Sequence, residues 1–211
     1  MSDRPVLAAK AAAFGYDSRL VLSAVDCVIP RGSVVGIVGP NGSGKTTFLK
    51  AVLGKLAPRG GTFEVDRLLR FAYVPQREDV SPFWPLTVRQ TVELPVRALG
   101  SGPEGLRRAA MAMAQVGVEG IAERLLSEVS GGQRQRAILA QAMAQDPQVL
   151  LLDEPTRGLD ADAESAAQEL IRRLRGSMTI LVVTHDAVLA ESVSDQLLRF
   201  RDGAVSVEKK R

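Results

Sequence analysis

Gly39-Pro40-Asn41-Gly42-Ser43-Gly44-Lys45-Thr46 fits the pattern G-x-x-x-x-G-K-[ST]. Glycines at these points let the backbone curl until its amides point inward, and a following helix adds partial positive charge from its N-terminus. Such a cradle holds phosphates: Lys45 reaches the β- and γ-phosphates of a nucleotide, and the Thr46 hydroxyl is a ligand for Mg²⁺. Far downstream, Val149-Leu150-Leu151-Leu152 runs into Asp153-Glu154. An apolar strand ending in an acid carries a carboxylate to the edge of a sheet, where Asp153 holds Mg²⁺ through water and Glu154 polarises an attacking water. Two acids after a strand are commonplace alone; paired with the glycine-rich loop they describe phosphoryl transfer to water. A third group, Ser130-Gly131-Gly132-Gln133, reads as a capping box, with Ser130 at N-cap and Gln133 three residues on. The two glycines are not explained by a cap, because they weaken the first turn of a helix. Bare amides there suit the docking of an anion.

These residues need elements to position them. Val34 to Val38 is a β-branched run entering the glycine-rich loop, and Thr46 to Leu53 reads as a helix closed by Gly54. Leu69 to Val74 reads as a strand stopped by Pro75. From Arg77 to Asp146 the texture is helical, with Leu106, Ala109, Ala110, Met113 and Val116 on one face of a helix over 104–116. A helix from Ser130 runs to Gln145. Val149 to Leu152 and Thr179 to Val183 are apolar runs too short for helices and suited to central parallel strands. Between them, 160–175 is a helix whose apolar face is Ala163, Ala166, Ala167, Leu170, Ile171 and Leu174. Asp202-Gly203 separates two final strands as a hairpin, and Lys209-Lys210-Arg211 reads as a solvated tail. The pattern predicts an α/β chain: one domain over 1–211, a parallel-sheet core of about 1–76 and 147–211, and a helical subdomain of about 77–146 inserted into it.

Composition removes other classes. In 211 residues, 45% are apolar, and Lys+Arg 27 against Asp+Glu 24 leaves a formal charge of +3. Neither a basic stripe nor, at 4% aromatics, a set of stacking platforms is present, so no nucleic-acid partner is expected. One cysteine, Cys27, in a strand-like run, is expected as a buried apolar thiol. No apolar stretch approaches the roughly 18–20 residues of a membrane span. The first residues lack the apolar core of a secretory signal.

Taken in order, Gly39 to Thr47, Gln76, Val129-Ser130-Gly131-Gly132-Gln133, Leu150 to Glu154 and Thr184-His185-Asp186 resemble the motifs of ATP-binding-cassette ATPases. The resemblance spans Val6 to about Gly203. It implies a phosphate-loop NTPase (RecA-like) core with a small antiparallel β region and an inserted helical subdomain, using ATP and Mg²⁺. Tyr16 looks like the aromatic that stacks on adenine; its plainer use is core packing, which Phe14 could equally supply. Gln76 resembles the glutamine that touches Mg²⁺ and the attacking water, and a polar loop residue is its plainer use. Asp160 resembles the loop linking the two sites of a dimer and also suits the N-cap of its helix. His185 resembles the histidine that contacts the γ-phosphate. In this family the signature motif of one protomer closes over ATP bound by the other, so a second ATPase subunit is an implied partner, as are integral-membrane permease subunits. That places the chain in the cytoplasm, peripheral on the inner face of the membrane. Val129 replaces the usual leucine, Gln141 stands where many members carry arginine, and the short segment 59–74 implies trimmed antiparallel strands.

Tyr73-Val74-Pro75-Gln76-Arg77, followed by Pro85-Leu86-Thr87-Val88, is similar to the run in ATPase subunits of zinc and manganese importers. That similarity implies metal import, with an extracytoplasmic solute-binding protein as a further partner; Phe83-Trp84 suits part of the permease-docking surface, and local core is the more usual use of an aromatic pair beside two prolines. One histidine and one cysteine leave recognition of the cargo metal to the other components. The alternatives are an exporter ATPase and a soluble cassette of a cytosolic assembly complex. The interval between the loop and Asp153 leaves no room for the long coiled coil of the DNA-repair members, and intact Glu154 and His185 disfavour a non-hydrolytic regulator.

Overall fold

The computed structural model describes residues 4–76 and 85–210. The first half runs β1 (Leu7–Tyr16), β2 (Arg19–Ile29), β3 (Val34–Val38), α1 (Lys45–Val52), β4 (Gly60–Val65) and β5 (Phe71–Val74). Among the described residues three α-helices follow, α2 (Val88–Ala98), α3 (Gly102–Val116) and α4 (Gly131–Met143), with a 3-10 turn at Glu119–Ile121 between the last two. The chain then closes with β6 (Val149–Asp153), α5 (Ala161–Leu174), β7 (Thr179–Thr184), α6 (Ala187–Val193), β8 (Gln196–Arg201) and β9 (Ala204–Lys209).

The strands form one sheet in the order β4-β1-β2-β9-β8-β3-β7-β6-β5. From β8 to β5 every neighbouring pair is parallel. β4, β1 and β2 are antiparallel and meet β9 through the single pair Ala24 and Ala204. This is the expected phosphate-loop core with a small antiparallel region, and β4 alone follows α1 before the sheet resumes.

The apolar runs are central because the sheet is covered on both faces. Alternate residues divide between two cores: Leu150, Leu152, Ile180 and Val182 pack on the α2–α4 side, while Val149, Leu151, Leu181 and Val183 face α1 and the antiparallel strands. Phe14, Phe48 and Phe200 fill the second core, where Phe48 and Phe200 stand edge to face at 5.4 Å. Cys27 is buried there too, and its thiol is pushed up to about 12 by burial and the neighbouring Asp26.

Some boundaries and faces differ from expectation. The strand predicted from Leu69 begins at Phe71, because Leu69 closes a turn onto Asp66. On α3 Ala110 is exposed, and Gly105 and Ala112 are buried with Ala109, Met113 and Val116. α4 ends at Met143 rather than Gln145. On α5 only Leu170, Ile171 and Leu174 are buried; Ala163 and Ala167 are half-buried and Ala166 is exposed. The expected tail is partly structure, since Lys209 closes β9 and the Lys210 amide donates to the Asp195 carbonyl. The Asp202-Gly203 hairpin holds: both residues have positive φ, 49° and 77°, as a type I′ turn requires.

Candidate active site

Four adjacent parallel strands, β3, β7, β6 and β5, end on one edge of the sheet. β3 leads into the glycine-rich loop, β7 into Thr184-His185, β6 into Asp153-Glu154, and β5 into Pro75-Gln76. Ligands of open α/β sheets gather at this carboxyl edge. The cleft is about 460 Å³ and is lined by Asn41, Gly42, Gly44, Lys45, Thr46, Thr47, Gln76, Asp153, Glu154 and His185, with Val21, Arg157 and Val183.

The loop is built for close approach. Gly44 has φ 106°, and a Cβ there would come within 2.4 Å of the Leu22 side chain. Lys45 Nζ donates to the carbonyls of Gly39 at 2.7 Å and Pro40 at 3.1 Å. Burial lowers the Lys45 ammonium below the ordinary lysine range, and the negative charges of Glu154 and Asp153 offset only part of that effect. The Ser43 hydroxyl and Gln76 Nε2 are buried without a hydrogen-bond partner among the described residues. Buried polar groups are normally satisfied, so both groups fit a site that takes a polar ligand. With the Thr46 hydroxyl and Asp153 on the same cleft, the donors suit a phosphate chain and a hard cation with oxygen ligands.

Glu154 is held from three directions. Thr184 Oγ1 donates to Oε2 at 3.1 Å and the His185 amide donates to Oε1 at 3.1 Å. His185 Nδ1 lies 2.9 Å from each carboxylate oxygen, and because a carboxylate only accepts, Nδ1 carries the proton. The backbone of Glu154 is left-handed, with φ 50°, which for a non-glycine residue costs on the order of 1 kcal/mol. Its amide is fixed by the Val183 carbonyl at 2.8 Å, across the β6–β7 pair. Asp153 accepts from the Tyr73 hydroxyl at 2.9 Å.

The signature residues lie apart from this cleft. Ser130, Gly131, Gly132 and Gln133 line a separate concavity of about 410 Å³ with Arg136, Leu159, Asp160 and Ala163. The capping box is present: the Gln133 amide donates to Ser130 Oγ, and the Ser130 amide donates to Gln133 Oε1. Asp160 caps α5, accepting from the Ala163 amide at 2.9 Å. A Cβ on Gly132 would meet Ala163 Cβ at 2.8 Å. Close packing of α4 on α5 therefore requires this glycine as well, a reason the sequence alone does not reveal.

Tyr16, at the end of β1, is 41% exposed, whereas Phe14 is fully buried. Core packing is thus the role of Phe14. Lys50 Nζ lies 5.3 Å from the centre of the Tyr16 ring. A hydrogen bond with Thr47, together with Lys50, draws the phenol below its usual range against the opposing effect of burial. Arg77 and Phe83-Trp84 lie outside the described residues. Sequence reasoning missed Thr184 as a support for Glu154, Tyr73 as a support for Asp153, and Arg157 in the cleft. Thr184 and Tyr73 were readable as polar residues at or near the ends of apolar strands, but only strand order shows which acid each meets. Among the described residues, no group of three or more His, Cys, Asp or Glu side chains gathers as a metal cluster, and no helix is long and apolar enough to cross a membrane.

With this geometry established, similarity to known proteins is specific. The family described as ABC transporter matches residues 22–157. The zinc import ATP-binding protein ZnuC of Paracoccus denitrificans is 42% identical over 180 residues, 84% of this chain and 68% of that protein. The ZnuC of Ruegeria pomeroyi is 39% identical over 196 residues, 92% of this chain and 74% of that protein. A solved dimeric ATP-binding cassette in a post-hydrolysis state, bound to ADP and Pi, superposes with a TM-score of 0.81 at 29% identity, covering 97% of this chain and 99% of that one. The chain belongs to the ATP-binding-cassette transporter family, as one of its ATPase subunits.

Proposed function

We propose that this chain is the ATP-hydrolysing subunit of an importer of a divalent metal of the zinc type, acting as a single cassette with its helical part at about 77–146. It works at the inner face of the membrane beneath permease subunits, with an extracytoplasmic solute-binding protein delivering the metal. The observation that carries the catalytic half is the held carboxylate of Glu154 on the same cleft as Lys45 and the glycine-rich loop. The ZnuC relatives support zinc as cargo.

In this reading the amides of 39–47 and the Lys45 ammonium bind the β- and γ-phosphates, and the Ser43 hydroxyl gains the partner it lacks. Thr46, Asp153 and Gln76 would hold Mg²⁺, which when bound supplies charge neutralisation to the phosphates. Tyr16 stacks on the adenine with the ring face away from Lys50. Glu154 aligns a water against the terminal phosphorus; the bond to the bridging oxygen breaks, ADP leaves, and the water's proton passes toward the carboxylate. His185 steadies that carboxylate and contacts the γ-phosphate. Ser130 to Gln133 and Asp160 of a second copy close over the nucleotide, which accounts for the distance between the two concavities of one chain.

Affinity purification from detergent-solubilised membranes tests the transporter half. The expected result is an integral-membrane permease co-purifying with the chain, and zinc uptake by vesicles containing both when ATP is supplied. Reproducible recovery of soluble partners alone would favour a cytosolic assembly complex.

A further inference from the structure

Pro95 stands inside α2. Proline has no N–H, so the carbonyl four residues earlier, that of Thr91, loses its usual helical bond, and the ring crowds that carbonyl. Thr91 is only 4% exposed, and a buried carbonyl left unmet is costly. Its partner comes from another helix: Gln141 Nε2 donates to the Thr91 carbonyl at 2.9 Å. Gln141 belongs to α4, whose first residues are Gly131 and Gly132, and it is the position that departs from the family's arginine.

We propose that Pro95 and Gln141 are a matched pair through which α2 fixes the axial position of α4, making Gln141 a positioning residue for the signature amides. The proposal rests on the reading that those amides close over ATP held by a second copy. The apolar contact between α2 and α4 is non-directional and permits sliding; one hydrogen bond to a fixed carbonyl does not. The remaining polar ties of α4 to its surroundings act differently. Among the described residues, Arg134 reaches the Leu126 carbonyl at 3.2 Å, and Arg136 reaches the Val116 carbonyl and Arg108 that of Ala144, each at 3.3 Å, all through long side chains. The bond from Gln141 is shorter and comes from a shorter side chain. At the other end of α4, Gly132 abuts Ala163. A shift of α4 along its axis would therefore move the signature amides and strain that contact together.

The test is a double-mutant cycle in the full chain: Gln141→Leu, Pro95→Ala, and both. Gln141→Leu keeps the volume and removes the donor. Thermal unfolding without nucleotide should drop by roughly 3–8 °C, the effect of one unmet buried carbonyl in a domain of this size. Pro95→Ala returns an N–H to the Thr91 carbonyl, so the double variant should recover most of that loss. In a Glu154→Gln background, ATP-driven association should weaken about tenfold with Gln141→Leu, while ATP binding by the single copy is unchanged. The donor-keeping Gln141→Arg should retain association, whereas adding Pro95→Ala to Gln141→Leu should not restore it, because α2 and α4 still lack the bond between them. An additive unfolding cycle would overturn the pairing, and unchanged association with Gln141→Leu would overturn the positioning role. If Glu154→Gln itself fails to associate with ATP, the two-copy reading falls and the positioning role with it, and the unfolding cycle still decides the pair.

Discussion

The cleft at the sheet edge and the concavity at the head of α4 are both lined by glycine and polar side chains, yet they are built on opposite principles. In the cleft, charges are gathered and held: Lys45 is buried under its own loop carbonyls, Glu154 is gripped by Thr184 and His185, and Asp153 by Tyr73. The Ser43 hydroxyl and Gln76 Nε2 are buried without a hydrogen-bond partner among the described residues. Around Ser130 the polar side chains satisfy one another through the capping box, and what is offered outward is backbone amide at a helix start. The first region has what is needed to bind and turn over a nucleotide phosphate. The second can recognise a phosphate and has no group to act on it. In the proposed reading, the contrast is that of two halves of different character on one chain, which become one complete site when copies meet.

The largest blow to the first region is Lys45→Ala. It removes a charge-assisted contact to two phosphates and should reduce ATP binding by about 100-fold or more, measured by equilibrium titration. Unchanged binding would mean that the loop is only a turn. Damage to the second region should separate binding from turnover. Gly132→Val pushes α4 off Ala163 and should lower turnover at least about tenfold through lost transition-state contacts, with ATP binding by the single copy retained. Equal loss of both would merge the two regions into one. A finer cut is Thr184→Val, which deletes a donor to the Glu154 carboxylate and should lower kcat about 5–20-fold with little change in KM.

The smallest effect is a proton count. Burial holds the free Lys45 ammonium below the usual lysine range, and bound phosphates favour its charged form. Nucleotide binding should therefore take up protons as pH approaches that range from below, and affinity should fall as pH rises through the pKa of the free protein. Calorimetry at about pH 9.5 in two buffers of different ionisation enthalpy reads this directly; binding heats independent of buffer would contradict it.

The first region was largely legible in the sequence because each motif directly follows a short apolar strand. Strand-then-motif places the loop that carries Lys45, and Asp153 and His185, at strand ends before any topology is known. The insertion of β7 between β3 and β6 was not legible, nor was the grip of Thr184 on Glu154 that depends on it, because strand order is set by tertiary packing. The faces of α3 and α5 were misjudged at alanines. Alanine buries so little area that Ala110 and Ala112 are nearly equivalent as signals, and Ala163 of α5 is half-buried where Gly132 lies close rather than filling a core. Gln141 was visible only as a departure from pattern, and its use required the carbonyl that Pro95 releases.

Sedimentation of the Glu154→Gln protein with and without ATP tests the central claim most directly. Loss of the catalytic carboxylate should slow hydrolysis about 10²–10⁴-fold and leave binding intact, so ATP should convert the protein to a dimer holding one nucleotide per copy, and removal of ATP should return it to monomer. A protein that stays monomeric with ATP bound, or that hydrolyses at the unaltered rate, would contradict the account of two half-sites joined around a Glu154-held water.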